Sequence, residues 1–149
     1  MSLKIRINDE VKTALKMGNE LRKKTLRMVQ AAIKQVEVDK RIDLDDDAVM
    51  AILQREIKLR KEALEEANGA NRADLAADAQ SEIEILKEFL PKSLTPQELD
   101  VIVKQAIAEA GATSAADMGK VMKAVMPKVA GKAAGDEVSA AVKRNLTAG

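Results

Sequence analysis

Residues 91–100 read PKSLTPQELD, and this stretch decides how the chain is divided. Pro91 has no amide proton and disfavours helical geometry in the residue before it, so a helix arriving from the amino-terminal side stops there. Thr95, Pro96 and Glu98 then stand as N-cap, N1 and N3 of a new helix. The hydroxyl accepts an amide proton, the proline ring presets φ, and the carboxylate completes a capping box. A helix stop followed at once by a helix start predicts a domain border, with residues 1–92 on one side and 93–149 on the other.

Moving outward, apolar residues recur at the 3.6-residue period and no segment alternates, so the expected fold is all-α. On the amino-terminal side four helices are expected to form a bundle. The first runs over about residues 3–16 and stops near Gly18-Asn19. The second turns Leu21, Thr25, Met28, Val29, Ala32, Ile33 and Val36 inward. The third follows the acidic IDLDDD, with Val49, Ile52, Leu53, Ile57 and Leu64 inward, and ends near Asn68-Gly69. The fourth starts after Asn71, with Leu75, Ala79, Ile83, Leu86 and Leu90 inward. On the carboxy-terminal side three short helices are expected, over about residues 95–110, 114–126 and 136–146. Their inner residues are Leu99, Ile102, Val103 and Ile107, then Met118, Val121, Met122 and Val125, then Val138, Ala141, Val142 and Leu146.

Composition removes several kinds of function. The chain of 149 residues has no cysteine and no histidine, which excludes disulfides, thiolate nucleophiles and imidazole general bases. No run of 18 apolar residues offers a membrane span, and the charged opening MSLKIRINDE lacks the apolar core of a signal peptide, so a cytoplasmic protein is expected. Asp43, Asp45 and Asp47 open like a calcium loop. Ala48 stands where that loop needs glycine and Gln54 where it needs a bidentate glutamate, so the acids read as a helix start capped by Asp45 or Asp46. No metal and no cofactor is expected. Gly119-Lys120 and Gly131-Lys132 lack the spacing and the following Ser/Thr of a phosphate loop. Glu56 and Arg60, four apart, read as an ion pair on a solvated helix face. No catalytic residue is assigned.

One run departs from the charge balance. The chain carries 25 Lys/Arg against 24 Asp/Glu, yet GKVMKAVMPKVAGKAAG, residues 119–135, has four lysines and no acid. Gly119, Met122, Pro127, Gly131 and Gly135 read as its scaffold. Met122 packs inward, Pro127 ends or bends a helix, and Gly131 and Gly135 permit a turn into the last helix. Lys120, Lys123, Lys128 and Lys132 are then the candidate RNA-binding residues, because cations without local acids suit a phosphate backbone, and they suit an acidic protein surface as well. Phe89 is the single aromatic residue, so stacking of unpaired bases is not expected, while structured RNA gripped by its shape and backbone stays open. Asp136 and Glu137 occupy the positive end of the last helix and leave no anion site there.

The chain resembles the YqeY-like proteins of the GatB/YqeY family. The resemblance rests on LRKKTLRMVQAAIKQVEVDKR (21–41), QREIKLRKEALEEA (54–67), RADLAADAQSEIEILKEFLPKSLTPQEL (72–99) and MGKVMKAVMPKVAGKAAGDEVSAAVKRNL (118–146). It implies an amino-terminal helical bundle followed by a small three-helix domain. That domain is similar to the tail domain of the GatB component of the glutamine-dependent aspartyl/glutamyl-tRNA amidotransferase, implicated in holding the tRNA body. Gly119, Lys120, Met122, Lys123, Gly131, Lys132 and Gly135 match the tail's pattern. The catalytic module of that component has no counterpart here, and the label of carbon-nitrogen ligase with glutamine as amido-N-donor attaches through the tail alone. The expected role is therefore a non-catalytic accessory protein binding tRNA or other structured RNA. The alternative is a protein-interaction module docking on an amidotransferase or another translation component.

Overall fold

The computed structural model describes residues 2–148; Met1 and Gly149, at the outer ends of the two expected ranges, lie outside them. The fold is all-α, with seven α-helices and no strand among the described residues. They are α1 (Leu3–Met17), α2 (Glu20–Lys40), α3 (Asp46–Gly69), α4 (Ala73–Lys87), α5 (Pro96–Ala110), α6 (Met118–Val125) and α7 (Gly135–Ala148). The chain divides into two compact units, Met1–Pro91 and Lys92–Gly149.

In the first unit α1 packs on α2 and α3 on α4. Several of the helix ends at the short connections are chemically capped. Gly18 closes α1 at φ 68°, a left-handed conformation that costs glycine little, and the Asn19 amide donates back to the Ala14 carbonyl at 2.9 Å. Asn19 then caps α2 by accepting from the Arg22 amide at 3.1 Å. Asp45 caps α3 by accepting from the Ala48 amide, and Asp46, the first residue of α3, accepts from the Leu3 amide at the start of α1, both at 2.9 Å. The core gathers Ile7 and Val11 of α1, Leu26, Val29 and Ile33 of α2, Val49, Leu53 and Ile57 of α3, and Ile83 and Leu86 of α4, closed by Leu44 and Phe89.

Two residues expected inside lie outside, Met28 at 47% exposure and Leu75 at 49%. Met28 misses the core by about one residue of helical rotation and Leu75 by less, at the outer edge of its face. Leu26 is fully buried on α2, whose inner face centres on Thr25, Leu26, Val29 and Ile33. Ala76, Ala79, Ile83 and Leu86 form the inner face of α4, and Leu75, in its first turn, lies about 60° from the centre of that face. Leu21 and Ala32 are half-buried, and Val36, Ile52, Leu64 and Leu90 are half-buried against the core.

The reading of Glu56 and Arg60 as a solvated pair is also corrected. Arg60 is 6% exposed. Its Nη1 donates to Glu56 Oε2 at 2.7 Å and to the Glu56 carbonyl at 3.1 Å, and its Nη2 reaches Met28 Sδ at 3.6 Å. Nε lies 3.2 Å from Glu82 Oε2 of α4, within ion-pairing distance but without the alignment of a hydrogen bond. The partner that draws Arg60 inward is on another helix, beyond the reach of an i to i+4 argument.

The second unit has a core of small aliphatic side chains. Leu99, Val103 and Ala106 of α5 meet Val121 and Val125 of α6, Val129, Ala133, and Val138, Ala141, Val142 and Leu146 of α7. Thr95 caps α5 by accepting from the Glu98 amide at 3.1 Å, and Gly111 ends it at φ 66°. The segment expected as one helix over 114–126 is built in three pieces. A 3₁₀ turn, Ala115–Asp117, leads into α6, and a second 3₁₀ stretch, Met126–Val129, carries Pro127 at its start, where the missing amide proton is not needed. Val121, Val125 and Val129 stay on one buried line through this change of helix type.

Candidate nucleic-acid interface

The lysine run is positioned by the carboxylate that begins it. Asp117 Oδ2 accepts from the Thr113 amide at 3.0 Å and more weakly from the Ser114 amide at 3.4 Å, while Ser114 Oγ accepts from the Ala116 amide. This capping box closes the start of the 3₁₀ turn that leads into α6. The two amide bonds, helped by the nearby Lys120 ammonium, hold the Asp117 carboxyl below the usual aspartate range.

From that start the period of the helix sorts the side chains. Val121 and Val125 point into the core and Met122 packs half-buried against it, which leaves Lys120 and Lys123, three residues apart, together on the exposed side. Gly119 is exposed beside them, and a β-carbon built on it would meet nothing within 4 Å. Its place is therefore not demanded by packing. Beyond α6 the backbone turns. Lys128 is exposed within the 3₁₀ stretch, and Gly131 is buried at φ 74°. Lys132 is exposed too, while its backbone is fastened: its amide donates to the Val129 carbonyl at 2.8 Å and its carbonyl accepts from the Leu94 amide at 3.0 Å. Of the two glycines expected to make the turn, only Gly131 has a left-handed φ. Gly135 begins α7 in ordinary geometry, with open space where a β-carbon would stand.

The four lysines are not equally free. Lys128 Nζ lies 3.3 Å from Glu109 Oε2, an ion pair exposed on both sides. Glu109 sits in the last turn of α5, nineteen positions earlier, and nothing local in the sequence joins the two. Such exposed pairs stabilise by about 0–1 kcal/mol, so a phosphate can displace the carboxylate at small cost. Arg144, by contrast, is committed to the fold. It reaches Asp100 Oδ1 at 2.5 Å, and Asn145 donates to the same oxygen at 3.0 Å. These two donors hold Asp100 below its ordinary range. The arrangement offers point charges on a backbone held at Lys132 by hydrogen bonds to Val129 and Leu94.

The family described as "Yqey-like protein" matches residues 4–146, and the chain belongs to that family. It is similar to "Altered inheritance of mitochondria protein 41, mitochondrial" of Pyrenophora tritici-repentis, 29% identical over 136 residues, covering 89% of this chain and 74% of that protein. The protein of the same name from Lachancea thermotolerans is 33% identical over 99 residues, 66% of this chain and 53% of that one. The one from Vanderwaltozyma polyspora is 28% identical over 102 residues, 66% and 55%. The chain thus spans about half the length of the last two. No helix among the described residues is long and apolar enough to cross a membrane.

Proposed function

We propose that this chain is a non-catalytic accessory protein that binds tRNA or another structured RNA through its carboxy-terminal unit. The observation that carries the reading is the sorting along α6 and the turn after it. Valines at 121, 125 and 129 are buried, while Lys120, Lys123, Lys128 and Lys132 are all exposed and, among the described residues, only Lys128 of the four is in an ion pair. Side chains set out in this way neutralise phosphates and read no bases, so affinity follows charge and shape. The resemblance to the amidotransferase tail supports RNA as the polyanion.

The test is filter binding of a tRNA transcript by the wild-type chain and by a Lys120→Ala, Lys123→Ala, Lys128→Ala, Lys132→Ala variant. At about 0.7–0.9 per contact, the log–log salt slope should become shallower by roughly 3–4 in the variant. Equal binding by both proteins overturns the reading. A second reading, docking on an amidotransferase or another translation component, is favoured by Val101 and Met126, apolar side chains exposed on the same unit. Incubation with glutamine, ATP and mischarged tRNA should give no amide product unless a complete amidotransferase is added.

A further inference from the structure

The outer face of α2 carries a second cationic track. Lys24, Arg27, Ala31, Lys34 and Val38 follow one another at steps of three and four residues, which places them on one line of the helix, and Arg41, the C-cap, stands at its end, about 25 Å from Lys24 along the axis. All six are exposed. The line lies opposite the buried Thr25, Leu26, Val29 and Ile33. Residues 1–92 hold as many acids as bases, 18 of each, yet no acid falls on this line between positions 24 and 41. The acids nearest in sequence are engaged elsewhere: Glu20 pairs with Lys23 at 2.9 Å, Glu37 with Lys4 at 2.6 Å, and Asp39 accepts from Gln35. Lys34 acts on Glu37 only through space, as one of the charges that lower its carboxyl. Among the described residues, Lys24, Arg27 and Arg41 have no ion-pair partner.

Two further features lie at the carboxy-terminal end of the line. Arg41 caps α2 in the left-handed conformation at φ 55°, a place where glycine is the unstrained choice. Beside it lies an open cleft of about 300 Å³, lined by Lys34, Glu37, Val38, Arg41, Ile42 and Asp43.

We infer that this face of α2 is a phosphate-backbone track for structured RNA. The inference rests on the RNA reading of the carboxy-terminal unit and adds the amino-terminal unit to the contact. The chemistry favours this occupant over others. Protein interfaces are depleted of lysine and centre on large apolar anchors, whereas this line offers only Ala31 and Val38 between its cations. An anionic membrane surface would take a helix with Trp, Phe or Leu along one face, and the line has none. Nucleic-acid interfaces are rich in positive charge and poor in apolar anchors, as this face is.

The experiment uses the full chain and a tRNA transcript, with binding followed against salt. The variant is Lys24→Gln, Arg27→Gln, Lys34→Gln, Arg41→Gln. Its control is Lys12→Gln, Lys16→Gln, Lys61→Gln, Lys87→Gln, which removes four exposed charges from other faces. The track variant should lose roughly five- to eightfold in affinity per contact at about 0.1 M salt, and its salt slope should become shallower by roughly 3. The control should lose far less. Arg41→Gly alone should bind several-fold more weakly while its melting temperature holds or rises, a combination that a structural role for Arg41 would not produce. Binding of the track variant equal to that of the control overturns the inference, and if the carboxy-terminal lysine variant still loses affinity, the reading of that unit survives alone. Vesicles with anionic headgroups and a DNA duplex serve as competing probes; if vesicles bind the wild type more tightly than tRNA, the assignment to RNA is overturned.

Discussion

The two units spend their cations differently. In the first, Arg60 is enclosed by Glu56 and Glu82, Arg22 bridges Glu10 at 2.8 Å and Glu88 at 2.6 Å, Arg6 lies 4.7 Å over the Phe89 ring, and Lys4 holds Glu37. These charges fasten one helix to another. In the second, α6 and the turn after it are held by valines, a capping box closes the 3₁₀ turn before them, and among the described residues only Lys128 of the four lysines is in an ion pair, an exposed one with Glu109. Cations with partners at short distance are part of the fold, and cations without them are available for binding. The α2 line shows that the first unit keeps such a set as well.

The largest expected effect breaks the comparison on its structural side. Arg60→Ala leaves two largely buried carboxylates without their counter-charge, and such a loss typically costs about 3–5 kcal/mol. Urea unfolding should show a loss of that order, while RNA affinity measured where the variant is folded stays at the wild-type value. A loss under about 1 kcal/mol would mean that Arg60 is paired no more strongly than a surface cation.

The next effect is a pH dependence of the second unit. Asp117 and Asp100 both have carboxyls held below their ordinary range, Asp117 by the Thr113 and Ser114 amides and Asp100 by Arg144 and Asn145. A depressed carboxyl contributes stability that is fully present above its unfolded pKa and is lost as pH falls through the ordinary aspartate range towards the folded value. Acid titration of the melting temperature should therefore show stability falling on that side, with Asp117→Asn flattening the curve. Identical acid limbs for Asp117→Asn and wild type would remove the capping role assigned to this carboxylate.

The smallest effect sharpens the comparison within α6. Gly119 sits in the helix with open space around it, so Gly119→Ala should stabilise by up to about 1 kcal/mol through helix propensity. If the missing β-carbon serves close approach of a phosphate to the backbone, the same change weakens tRNA binding while raising the melting temperature. Unchanged binding would limit the contact to the lysine side chains.

The sequence shows the fold wherever the controlling chemistry is local. Asp45 before α3, Thr95-Pro96 before α5, Gly18 after α1 and the Ser114–Asp117 box act on groups within four residues, and their roles can be read directly. What the sequence hides depends on distant partners or on helical rotation. Leu26 and Met28 are both apolar, and only the packing of α2 decides that Leu26 enters the core. Arg60 turns inward because Glu82 waits on α4, and Lys128 is paired because Glu109 ends α5. The lysine run at 119–135 can be seen because its acid-free character is contiguous. The α2 line has acids and apolar residues interleaved between its cations and becomes acid-free only when wound at 100° per residue.

The central claim is that unpartnered cations on both units contact one RNA, and the salt dependence of tRNA binding by the wild-type chain tests it most directly. With six to eight phosphate contacts at about 0.7–0.9 each, the log–log slope should lie between roughly −4 and −7. A slope no steeper than about −1 would contradict the account, because it leaves room for a single phosphate contact and so for neither cationic face.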